Sequence, residues 1–131
     1  MNITICKNRI ERMVKDLMPD CYIKFSESSL GGNVSLCIHY ATSNEWINNI
    51  INNDNGHTQL WMHDCFSRET GEQIKPFTLE SSYFGYRNYK TGFKSKCKFR
   101  TINKPSDFET IFKALTKFFT EMKTAIEADN A

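Results

Sequence analysis

Residues 105–126, PSDFETIFKALTKFFTEMKTAI, carry Phe108, Ile111, Phe112, Leu115, Phe119, Met122 and Ile126 at steps of three and four. That spacing lines one side of an α-helix with large apolar side chains. Pro105-Ser106 precedes Asp107-Phe108-Glu109, so the Ser106 hydroxyl is expected to cap the Glu109 amide while Glu109 reaches back, as in a capping box. So continuous a stripe needs a broad apolar surface to lie across, and a sheet supplies one.

The remainder of the chain provides the strands. Ile10, Met13, Val14, Leu17 and Met18 repeat at helical spacing over residues 8–18, opposite Arg9, Glu11, Arg12, Lys15 and Asp16, and Pro19-Asp20 ends that helix. Residues 21–27 alternate as a strand, a turn over 26–33 holds Gly31-Gly32, and 34–40 returns as its hairpin partner. Thr42-Ser43-Asn44 caps a short helix bearing Trp46, Ile47, Ile50 and Ile51, followed by an asparagine-rich loop over 52–56. Residues 59–66 read as a strand, 75–89 contain another interrupted by Pro76 and Gly85, and 94–101 alternate with period two. The order helix, hairpin, helix, strands, helix predicts an α+β fold. An antiparallel sheet has its helices packed on one face, and amphipathic helices stand at the N- and C-terminal ends. No linker or repeat divides the chain, so residues 1–131 are expected to form a single domain.

Composition narrows the class. A chain of 131 residues with 40% hydrophobic side chains is long enough for one core, and it has no apolar run that could span a bilayer. The N-terminal residues match neither a secretory signal nor a transit peptide, so a cytoplasmic protein is expected. Cys6, Cys21, Cys37, Cys65 and Cys97 are odd in number and widely spaced, without a C-x-x-C pair. They read as reduced thiols rather than as a disulfide framework or a zinc ribbon.

Charge is segregated. Residues 83–104, YFGYRNYKTGFKSKCKFRTINK, hold seven basic residues (Arg87, Lys90, Lys94, Lys96, Lys98, Arg100, Lys104), six aromatics and no acid, in a chain with 17 basic and 15 acidic residues overall. Cations interleaved with rings suit a nucleic acid, because the cations neutralise phosphates while the rings stack on bases. Arg87, Lys90, Lys94, Lys96, Lys98 and Arg100, with Tyr86 and Tyr89, are therefore the candidate binding residues. The same lysine alternation also describes a strand with one solvated face, where lysine guards a sheet edge against intermolecular pairing.

Signals for catalysis are sparse. On a strand over 59–66, His63 and Cys65 would share one face and Asp64 the other, offering a thiol with a base or two metal ligands. Zinc requires three or four, and His57 and His39 add no ligand spacing, so neither a metal nor another cofactor is expected. Phosphate-loop, dinucleotide and nucleophile-elbow motifs are absent from the sequence.

The opening helix ending in Met18-Pro19-Asp20, the strand from Tyr22 to Ser26, the Gly31-Gly32 turn into Asn33-Val34-Ser35-Leu36, and the later YFGYRNY at 83–89 are together similar to the large polyvalent protein-associated domains of phages and plasmids. The resemblance covers about half the chain and leaves out the lysine strand and the C-terminal helix. It implies a mobile-element origin and an accessory role during entry into a host, and Arg87 is the one polar residue it carries over. Small size and an asparagine- and lysine-rich composition also suit an inhibitor of host defence, such as an anti-CRISPR or anti-restriction protein. The leading expectation is a non-enzymatic viral or mobile-element protein. Through its basic face it would bind nucleic acid or a host nucleic-acid-handling complex, with no membrane partner. A small enzyme using His63 and Cys65, and a structural assembly protein using the C-terminal helix, are the alternatives.

Overall fold

A computed structural model describes residues 1–30, 32–41, 59–81, 86–88, 93–95 and 101–129. Helix α1 spans Ile3–Leu17, and the Asn2 side chain caps it by accepting the Thr4 amide at 2.8 Å. It begins earlier than the apolar spacing over 8–18 suggests, because Ile3 and Cys6 extend the same buried face toward the N-terminus. At its other end the Met18 amide donates to the Val14 carbonyl just before Pro19.

Strands β1 (Tyr22–Leu30) and β2 (Asn33–Ala41) follow as a hairpin in unbroken register from Tyr22↔Ala41 to Leu30↔Asn33. The connection is thus two residues, Gly31 and Gly32, rather than a turn reaching back to Ser26. Gly32 has φ +98°, a left-handed conformation that costs glycine little. Strands β3 (Gln59–Ser67), β4 (Phe77–Ser81) and β7 (Ile102–Ser106) complete an antiparallel sheet in the order β1-β2-β3-β4-β7. Strands β5 (Tyr86–Asn88) and β6 (Phe93–Ser95) pair separately as a two-stranded ribbon. Helix α2 covers Phe108–Asp129. The helix expected after Asn44 lies outside the described residues.

One apolar cluster joins Leu36, Ile38 and Tyr40 of β2, Leu60 and Met62 of β3, and Phe77 and Leu79 of β4 to Ile10 and Val14 of α1 and to Ile111, Leu115, Phe119 and Met122 of α2. Both helices therefore occupy the same face of the sheet, and the fold is α+β. The Tyr40 ring meets the Phe119 ring edge-on at 5.5 Å, and Phe77 packs between Phe66 and Phe108. Beyond the expected stripe, α2 also buries Phe118 and Ala125, whereas Phe112 and Ile126 are only partly covered. The buried side of α2 is thus centred nearer Ile111, Leu115 and Phe118, while Phe112 stands on the side that meets Arg9 of α1.

The α1–α2 seam is fastened by Arg9. Its guanidinium donates to both Glu109 carboxylate oxygens, at 2.6 and 3.4 Å, and lies 4.9 and 4.7 Å from the ring centres of Phe108 and Phe112. This contact holds the Glu109 carboxyl below its ordinary pKa. Glu109 is consequently committed to Arg9 and does not form the expected capping box. The cap is Asp107, whose Oδ1 accepts the Thr110 amide at 2.8 Å, while Ser106 ends β7 with its hydroxyl donating to the Lys104 carbonyl. Three candidate oxygens stand in a row in Ser106-Asp107, and the strand claims the first residue.

A bulge interrupts the β2–β3 pairing. From Val34↔Phe66 to Leu36↔Met62, β2 advances two residues while β3 advances four. Asp64 takes up the excess with φ 50°, an unusual conformation for a residue other than glycine. The Ser35 hydroxyl oxygen accepts the Asp64 amide at 2.8 Å, and the hydroxyl donates to Asp64 Oδ1 at 3.3 Å. One side chain thus replaces the ladder bonds that the bulge removes.

Candidate nucleic-acid interface

The basic segment folds locally as the β5–β6 ribbon, with Tyr86↔Ser95, Arg87↔Lys94 and Asn88↔Phe93 as register partners. Arg87 and Lys94, seven positions apart in sequence, are brought directly opposite each other, and Tyr86 stands one position away. The other expected site residues, Tyr89, Lys90, Lys96, Lys98 and Arg100, lie outside the described residues. So does most of the alternating strand expected over 94–101. Strand β5 lies against α2, which ties the ribbon to the body of the fold.

Opposed positions of an antiparallel pair bring Cβ atoms to about 4.5–5.5 Å, and like charges placed there disfavour the pair. The 83–104 segment holds no acid. A two-stranded ribbon is also of a size that the DNA major groove, about 12 Å wide, admits.

The catalytic alternative fares differently. His63 and Cys65 do not share a face, because the bulge at Asp64 reverses the alternation between them. Cys65 joins the core with no exposed surface, and burial pushes its thiol up to about 12. Cys6 is likewise pushed up to about 12, by burial and by the neighbouring Cys65. Neither sulfur is a thiolate near neutral pH, so neither is poised as a nucleophile. Cys21 and Cys37 are also buried, and Cys97 lies outside the described residues.

The sheet face remote from the helices carries polar groups whose arrangement the sequence reading did not anticipate. Register partners Ser26, Cys37, Trp61 and Glu80 form one row across four strands. His63 stacks parallel to Trp61 at 5.7 Å between ring centres, and its Nε2 lies 3.3 Å from Glu80 Oε2. Near the middle of this face, His39 is buried, with its Nε2 2.7 Å from the Ser26 hydroxyl. The Ser26–His39 contact is diagonal across the hairpin and becomes legible only with a two-residue turn at Gly31-Gly32. Among the described residues, no group of three or more His, Cys, Asp and Glu side chains is placed to hold a metal ion. Nor is any described helix long and apolar enough to cross a membrane.

No family model matches the chain, and no curated protein or solved structure matches it either.

Proposed function

We propose that this protein is a non-enzymatic binding protein whose basic ribbon engages nucleic acid. The observation that carries this reading is the pairing of Arg87 opposite Lys94 within a segment that has seven cations and no carboxylate. Two opposed cations repel each other in the free protein, and a phosphate backbone turns that repulsion into attraction while releasing condensed counterions. Tyr86, Tyr89 and the flanking rings add surfaces on which bases stack. The resemblance of residues 83–89 to phage and plasmid polyvalent-protein domains supports a mobile-element setting, in which the nucleic acid belongs to the host or to a host defence complex.

Fluorescence anisotropy with labelled duplex and single-stranded DNA, at about 50 and 200 mM salt, tests the proposal. The wild-type protein should bind more weakly at the higher salt. The Arg87→Glu/Lys94→Glu double variant should bind at least about tenfold more weakly and with a shallower salt dependence, since two phosphate contacts are lost. Lys96→Glu/Lys98→Glu should behave similarly. Binding that is absent in the wild-type protein, or unchanged in both folded variants, would refute a nucleic-acid function. Retention of the protein on an acidic protein complex alone would assign the ribbon to that complex instead.

A further inference from the structure

The register of the β5–β6 ribbon sorts its residues by kind. Along a strand successive positions alternate between faces, and register partners share one. With Tyr86↔Ser95, Arg87↔Lys94 and Asn88↔Phe93 as partners, positions 87 and 94 stand on one face and positions 86, 88, 93 and 95 on the other. Both cations of the ribbon thus belong to one face, and both aromatic positions, Tyr86 and Phe93, belong to the opposite one. Strand β5 also lies against α2. The hydrophobic effect favours turning the ring-bearing face toward the body of a fold, because a cationic face would lose its hydration there.

We infer, on the footing of the nucleic-acid reading, that the ligand is double-stranded DNA met by the face of Arg87 and Lys94, with Tyr86 and Phe93 taking no part in the contact. Tyr86 is then a support of the ribbon rather than a stacking surface. A single strand is held when cations follow its backbone and rings take its bases within one groove. That requires both kinds of residue on one surface, and the ribbon sets them back to back. A duplex keeps its base faces stacked inside and turns its phosphates outward, so a face of cations alone can bind it. It also carries one charge per about 1.7 Å of axis, about twice the density of either strand alone. The B-form major groove, about 12 Å wide, admits a two-stranded ribbon, whereas the A-form groove of duplex RNA is deep and narrow.

Anisotropy titrations of the wild-type protein with duplex DNA, single-stranded DNA and duplex RNA of equal length and mixed sequence test the inference. Duplex DNA should bind about tenfold or more tightly than the single strand, and more tightly than duplex RNA. The Tyr86→Leu/Phe93→Leu variant removes both rings and keeps apolar bulk, and far-UV circular dichroism checks that it is folded. It should bind duplex DNA within about twofold of wild type, since a lost stacking contact would weaken binding about fivefold or more per base. The comparison of ligands on wild-type protein needs no variant and decides the matter if the double substitution misfolds. A single strand bound as tightly as the duplex, duplex RNA bound more tightly than duplex DNA, or a loss of about fivefold or more in the folded leucine variant overturns the inference and leaves the nucleic-acid reading standing. Failure of every one of these ligands to bind overturns both.

Discussion

Replacing Ser35 with alanine should destabilise the protein by about 1–3 kcal/mol, although it deletes only one oxygen. Ser35 is buried, and its hydroxyl serves Asp64 twice: as acceptor for the amide at 2.8 Å and as donor to the carboxylate at 3.3 Å. Because the bulge has removed the ladder partner, the Asp64 amide would be left without a bond in a partly buried setting. The second bond is long and to a half-exposed carboxylate, so it adds a smaller share. The backbone at Asp64 supplies an internal control. With φ 50°, this position should accept Asp64→Gly at a net cost near zero, within about 1 kcal/mol. Relief of left-handed strain roughly offsets the lost side-chain bond and glycine's greater entropy in the unfolded chain. Asp64→Val should cost about 2 kcal/mol or more, because a β-branched side chain is poorly tolerated at positive φ. Urea unfolding of the three variants gives these differences from the shift in midpoint at constant slope. A Ser35→Ala cost below about 0.5 kcal/mol, or equal stabilities for Asp64→Gly and Asp64→Val, would refute the bulge as described.

Leu115→Ala should cost about 2–5 kcal/mol, because Leu115 is fully buried in the cluster shared by both helices. Phe112→Ala should cost less, since that ring is half-covered and faces Arg9, and thermal or chemical unfolding ranks the two. The Asp107 carboxyl is held below its ordinary pKa by the Thr110 amide. A depressed folded-state pKa contributes stability above the unfolded-state value and loses it as pH falls through the folded-state value. Melting temperatures of wild type and Asp107→Ala should therefore differ near neutral pH and converge in acid. Asp107→Asn, which keeps the capping oxygen without the charge, should stay above Asp107→Ala by a margin that does not change with pH.

Much of the fold was legible because it depends on periodicity. The α2 stripe, the alternation in β1 and β2, and Gly31-Gly32 as a turn all follow from spacing within one segment. The parts that were not legible depend on encounters between segments. Phe118 is core although it stands outside the stripe that the spacing marks, and Asp107 becomes the cap only because β7 runs as far as Ser106. Nothing in the sequence QLWMHDCFS marks the extra residues that turn Cys65 inward and leave His63 beside Glu80. The ribbon is an intermediate case. Its cations were evident from composition, but the opposition of Arg87 and Lys94 required the register.

The Arg9 clamp joins residues 100 positions apart, and the α1–α2 seam it fastens has a consequence for synthesis. About 90 residues separate the end of α1 from the start of α2, so at roughly 5–20 residues per second α1 leaves the ribosome some 5–20 seconds before α2 begins to emerge. Throughout that interval the Ile10 and Val14 face of α1 has only part of its eventual cover. Transiently exposed apolar surface of this kind is prone to aggregate, and slowing translation across the α2 codons should prolong that exposure.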